Sequence, residues 1–239
     1  MRYKGSKLRY RKQILEAMTA KLAPLDLSTY SYWEPFVGGG NMIGYVNSQG
    51  LFKQCHGTDI DPDVIAYLAA TAAGWMPPDN ISPELHKAVK ANPADYDPAL
   101  VGYMAFAMSF GGMKFAAYCK DKRGRDYALE AYRRHLKDSK ALMGATFSTV
   151  SYLDAIIPGD GVIYCDPPYV GTSGYGTGWD QDAYVEWLSQ LNQPVFMSAY
   201  ENPLPDLATE IWAKPAFSRM NNYAEGKTDL PVERLFYKS

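Results

Sequence analysis

The chain has 239 residues, 47% of them hydrophobic and 21% charged, and its 24 basic and 26 acidic side chains give a net charge of −2. That length suits one domain carrying an inserted subdomain, and the balance excludes both a highly basic DNA-packaging protein and an acidic disordered chain. The three cysteines (Cys55, Cys119, Cys165) and three histidines stand far apart, so neither a disulfide framework nor a metal site is expected, and a reducing cytoplasm is.

In chain order, the basic residues Arg2 to Lys12 are followed by no apolar run, so no signal peptide is read. Ser6 is placed to cap a helix on which Leu8, Leu15, Met18 and Leu22 share a face, with Pro24 ending it. Residues 30–36 read as a strand with glycines at once after it, 41–49 as a helix, 55–60 as a second strand and 62–73 as a second helix. Such alternation predicts a parallel α/β sheet.

Five prolines between 74 and 98 (Pro77, Pro78, Pro83, Pro93, Pro98) predict a stretch of loop. Residues 99–118 are apolar but broken by Ser109, Gly111-Gly112 and Lys114, which predicts a buried helix of about 12 residues rather than a membrane span. Nine Lys/Arg against four Asp/Glu between 111 and 140 give a local net charge of +5. Residues 161–165, 195–198 and 233–237 then read as strands and 182–191 as a helix. The expected fold class is α/β, a Rossmann-like sheet formed by 1–73 and 146–239 with a mainly helical insertion at 74–145.

Two constellations carry chemistry. In Glu34-Pro-Phe-Val-Gly-Gly-Gly40, a glycine cluster where a strand gives way to a helix lets a ligand approach the backbone. Asp59 follows Gly38 by 21 positions, the spacing at which a carboxylate takes ribose hydroxyls in nucleoside-cofactor sites. A tight turn with a helix-capping Asp explains the same pattern, and Asp61 is a rival for the ribose. The second constellation is Asp166-Pro-Pro-Tyr169 after a strand. Residues before proline are held extended, so this stiff loop can aim the Asp166 carboxylate and the Pro167 carbonyl at one point. Two acceptors suit an exocyclic amine, with Tyr169 lying flat on the base that carries it. A rigid turn with a capping Asp is the plainer alternative.

Together these motifs resemble the Dam-like DNA adenine-N6 methyltransferases. Arg2-Tyr-Lys-Gly-Ser-Lys7 is similar to that family's N-terminal cofactor motif, Glu34 to Gly40 to its glycine loop, Thr58-Asp-Ile-Asp61 to its ribose motif and Asp166-Pro-Pro-Tyr169 to its catalytic signature. Weaker similarity runs through Ser151-Tyr-Leu-Asp154, Val195-Phe-Met-Ser198 and Glu233-Arg-Leu-Phe-Tyr237. The resemblance implies S-adenosylmethionine as methyl donor, with Tyr3, Lys7, Glu34, Pro35, Phe36, Gly38, Gly39, Gly40, Asp59, Ile60 and Asp166 at the cofactor and Asp166, Pro167, Pro168 and Tyr169 catalytic. It implies duplex DNA as partner, the target adenine flipped from the stack, and 74–145 as the recognition segment, where Lys114, Arg123, Arg125, Arg133 and Arg134 are candidate DNA contacts. No metal and no membrane association are expected, and a monomer or weak dimer is. The motif Ser109-Phe-Gly-Gly-Met-Lys-Phe115 departs from the GATC-reading members, which leaves the target sequence open. Cys165 precedes the aspartate inside a strand, unlike the Pro-Cys nucleophile of cytosine-C5 enzymes, and reads as core. Amino methylation of cytosine N4 or of RNA, a nucleotide-cofactor oxidoreductase and a non-enzymatic DNA-binding regulator stay open as alternatives.

Overall fold

The computed structural model describes residues 1–79, 81–119, 126–169, 179–215 and 231–239. Ser31–Glu34 forms β1, Gln54–Asp59 β2, Thr146–Thr149 β3, Gly161–Cys165 β4, Val195–Ala199 β5, Thr209–Pro215 β6 and Val232–Lys238 β7. They lie in one sheet of order β3-β2-β1-β4-β5-β7-β6. The first five are parallel, and β7 runs antiparallel to both β5 and β6. This is the Rossmann-like methyltransferase arrangement that the resemblance implies.

Helices cover both faces. Arg11–Lys21 forms α1, Asn41–Ser48 α2, Pro62–Ala72 α3, Pro83–Ala91 α4, Pro98–Gly102 α5, Tyr127–Leu142 α6 and Gln181–Gln190 α7. Strand β4 is buried along its whole length, as a central parallel strand with helices on both faces must be. One apolar cluster joins α1, α2, α3 and β1 with residues of α4, α5 and α6, and a second gathers Ile163, Cys165, Tyr184, Leu188 and Met197 on the opposite face.

The stretch 74–98 is more regular than its prolines predict. Pro83 and Pro98 each open a helix, where a missing N–H costs nothing, behind the side-chain caps Ser82 and Asp97. The apolar run from 99 forms α5 and one wide turn at Tyr103–Ala107, buried except for half-buried Leu100, shorter than the single helix predicted. Ser6 caps only the turn Lys7–Arg9, so α1 starts at Arg11. The basic segment contains α6, which is built into the helical layer. Asn47 on α2 donates to the carbonyls of Ala141 and Met143, both at 2.9 Å, and Tyr67 on α3 meets His135 Nδ1 at 3.0 Å. No described helix is long and apolar enough to cross a membrane.

Candidate active site

After β1 the chain steps outward to β2 and β3, and it then returns to lay β4 against the other side of β1. The carboxyl ends of β1 and β4 therefore leave the sheet in opposite directions and open a crevice, the place where parallel α/β sheets bind ligands. The predicted motifs sit around this edge: Glu34 ends β1, Asp59 ends β2 and Asp166 follows β4.

Asp59 ties the glycine loop down. Its Oδ2 accepts the Gly38 N–H at 3.0 Å and its Oδ1 accepts the Asp61 N–H at 3.0 Å. Burial raises its carboxyl pKa, while these backbone donors pull the other way. With the Ile60 N–H as a further backbone donor, the carboxylate still keeps acceptor capacity for a ligand hydroxyl. Ile60 beside it is 73% exposed, an apolar surface left in solvent at the mouth. Asp61 is engaged elsewhere: it caps α3 through the Asp63 N–H at 3.0 Å and accepts Lys114 Nζ at 2.9 Å on both oxygens.

Tyr3 is wedged between two glycine segments. A Cβ on Gly38 would meet its ring at 2.8 Å, one on Gly39 its Cβ at 2.5 Å, and one on Gly112 its backbone nitrogen at 2.6 Å. The glycines at 38, 39 and 112 are thus required by close packing on the N-terminal segment, and Phe106 flanks the same ring at 5.4 Å. Phe36 turns to the other face, against Tyr152, Trp179 and Tyr184.

The wedge delivers Lys7 into the crevice. Lys7 is 7% exposed, and its Nζ lies 2.7 Å from Asp166 Oδ1 and 3.7 Å from Glu233 Oε1. The ammonium also sits 4.7 Å from the Tyr169 ring centre, a cation–π distance. Glu34 is buried, with its carboxylate accepting Tyr32 Oη at 2.6 Å. Burial holds its pKa well above the usual carboxylate range, and the nearby Asp166 adds to this. Pro35 and Pro167 are buried, and Pro168 is half-buried. Cys165 is fully buried, which pushes its thiol far above neutrality, so it holds no thiolate at neutral pH.

The basic candidates fare differently from one another. Lys114 is bound by Asp61 and by Asp63 at 2.8 Å. Arg134 binds Asp138 at 2.8 Å and Asn41, beneath the glycine loop. Arg133 is exposed on α6. Arg123 and Arg125 lie outside the described residues. Among the described residues no group of three His, Cys, Asp or Glu is placed to hold a metal ion.

DNA adenine methylases from two strains of Vibrio cholerae serotype O1 are each 30% identical to the chain over a 162-residue alignment, which covers 59% of this chain and 56% of the relative. That similarity supports a Dam-like family. The chain thus spans little more than half the length of the curated relatives it matches. No protein-family model matches. Among solved structures, a dimethyladenosine transferase from Plasmodium falciparum superposes with a TM-score of 0.40 at 10% identity, over 95% of this chain and 60% of that one. An rRNA methylase from Streptococcus thermophilus does so with a TM-score of 0.39 at 9% identity, over 94% and 95%.

Two residues of the crevice were given no role by the sequence. Glu233 reads as the start of a strand and of a segment with weak family similarity, with no role of its own, yet it is buried and accepts Tyr169 Oη at 2.5 Å. Tyr200, one of 19 tyrosines, sets its ring edge against Tyr169 at 4.7 Å between centres. The signal that could have found Glu233 is a carboxylate two residues before Leu235, on the face of the strand that enters the core.

Proposed function

We propose that the chain transfers a methyl group from S-adenosylmethionine to the N6 amine of adenine in duplex DNA. The observation that carries this reading is the meeting of Asp166-Pro-Pro-Tyr169 with an Asp59-tied glycine loop at one edge of the sheet. The residues present fit the cofactor. Asp59 retains acceptor capacity for a ribose hydroxyl, exposed Ile60 offers an apolar face to its adenine, and Asp166 offers a carboxylate toward a cationic sulfonium. When bound, the cofactor would supply an electrophilic methyl group.

The chain's own residues do the rest. A paired adenine hides its amine, so the base must leave the stack at a cost of a few kcal/mol. Tyr169 offers the ring on which the extruded base lies. Asp166 and the Pro167 carbonyl accept the two amine hydrogens and turn the nitrogen lone pair toward the donor. Positive charge then develops on nitrogen beside a carboxylate already fixed by Lys7 through Oδ1. Alignment of the two reactants supplies much of the rate, and the buried Cys165 takes no part. The segment 74–145, with Arg123, Arg125 and Arg133, is proposed to meet the DNA.

The test is transfer of labelled methyl from S-adenosylmethionine to unmethylated duplex DNA and, separately, to RNA, followed by digestion to nucleosides. Label in N6-methyladenine from DNA is expected. Label in N4-methylcytosine, or in RNA alone, would replace this reading with one of its neighbours.

A further inference from the structure

Strand polarity brings to the crevice a carboxylate that the sequence assigned no role. Because β7 runs antiparallel to β5, its first residues lie beside the end of β5, with Arg234 opposite Ala199. The end of β5 in turn lies next to the end of β4, where Cys165 pairs with Met197. The start of β7 is thereby carried to the crevice edge, and the side chains of Glu233 and Leu235, two residues apart, fall on one face of the strand. Leu235 is in the core, and Glu233, at 5% exposure, is its charged counterpart at the rim.

A carboxylate this deep needs a donor and a countercharge, and it has both. Tyr169 Oη lies 2.5 Å from Glu233 Oε1, and Lys7 Nζ lies 3.7 Å from the same oxygen. Lys7 also grips Asp166 at 2.7 Å. The edge of Tyr200, at 75° to the Tyr169 plane, closes one side of that ring. Rotation of the Tyr169 ring is therefore fixed at the hydroxyl by Glu233 and at the ring by Tyr200.

We propose that Glu233 is a positioning residue: through the Tyr169 hydroxyl it holds the ring in the plane the target base stacks on. This rests on the reading of the site as a base-amine methyltransferase. The inference concerns Glu233 alone, which touches neither the base nor the methyl donor in this scheme. It acts on turnover because a stacking surface that pivots lets the base, and so its amine, drift out of line.

The experiment compares Glu233→Ala, Glu233→Gln, Tyr169→Phe and the double variant Glu233→Ala/Tyr169→Phe for labelled methyl transfer to unmethylated duplex DNA, with S-adenosylmethionine affinity measured in parallel. Loss of one anchoring hydrogen bond to a charged group is expected to lower kcat about tenfold in Glu233→Ala, with cofactor affinity little changed. Tyr169→Phe should lose about as much, and the double variant no more than the worse single one, since both remove the same contact. Glu233→Gln keeps an acceptor in the same volume and should recover most of the rate. Additive losses in the double variant, a fall confined to cofactor affinity, or Glu233→Gln as impaired as Glu233→Ala would each overturn the proposal. A wild-type chain that methylates no nucleic acid would instead overturn the functional reading on which it rests.

Discussion

Asp166 and Cys165 are neighbours with opposite environments. The strand β4 buries Cys165 completely, while Asp166, one step beyond its end, meets Lys7 at the crevice. Replacing Asp166 with Ala removes the acceptor beside the nitrogen that gains charge, and turnover should fall on the order of 100-fold or more. Cys165→Ser should leave measurable methylation. Single-turnover assays of both variants decide between amine methylation and thiolate chemistry, and full activity in Asp166→Ala would remove the proposed mechanism. Asp59 and Asp61 make a second contrasting pair. Asp59→Ala deletes acceptors of charge-assisted hydrogen bonds, so S-adenosylmethionine should bind about 10- to 100-fold more weakly by calorimetry. Asp61 serves as the cap of α3 and the partner of Lys114. Its replacement by Ala should cost about 1 kcal/mol of stability and little cofactor affinity. The reverse order would move the ribose ligand to Asp61.

The elements that could be read from sequence are those with a buried face to pattern them. Strand β4, all buried, falls on the predicted residues 161–165, and α2, α3 and β2 fall within one or two positions of their expected ends. Strands β3 and β6 carry no such signal. Both lie at sheet edges and are mostly exposed or half-exposed, so neither has a buried face that would impose an apolar alternation. Helix α4 hid behind a proline that in fact starts it, and α6 behind its charge. The site follows the same division: side chains within a short motif were legible, whereas Glu233 enters through a strand pairing from the far end of the chain. Helix α6 also carries a testable pH dependence. His135 Nε2 donates to the Trp75 carbonyl at 2.9 Å, and Nδ1 lies 3.0 Å from Tyr67 Oη, which donates to it when the ring is neutral. Burial lowers its pKa below 6.5. The unfolded state then binds the proton more readily, so this contribution is complete above about pH 6.5 and is lost as pH falls toward the folded-state value. The stability advantage of wild type over His135→Gln in urea should shrink between about pH 7.5 and pH 5.5. A difference that stays constant would mean the ring does not titrate within the fold.

For the molecule as a whole, a net charge of −2 gives no long-range attraction to DNA, so any binding must come from a local cluster. The +5 of residues 111–140 overstates what that cluster offers, because Lys114 is already bound between Asp61 and Asp63, two carboxylates from outside the segment. Arg134 likewise faces Asp138 and Asn41. A side chain so engaged releases few counterions when DNA arrives, whereas each lysine or arginine that newly neutralises a phosphate adds roughly 0.9 to the slope of log affinity against log salt. If Arg123 and Arg125 both meet phosphates, replacing the pair with Gln should flatten that slope by about 1.8 and leave S-adenosylmethionine binding intact. Lys114→Gln should leave the slope nearly unchanged and lower stability instead, through the two half-buried carboxylates it abandons. Salt titrations of duplex-DNA binding by fluorescence anisotropy measure both. An unchanged slope in the Arg123/Arg125 variant would shift the interface away from this segment, toward the basic N-terminal residues Arg9, Arg11 and Lys12.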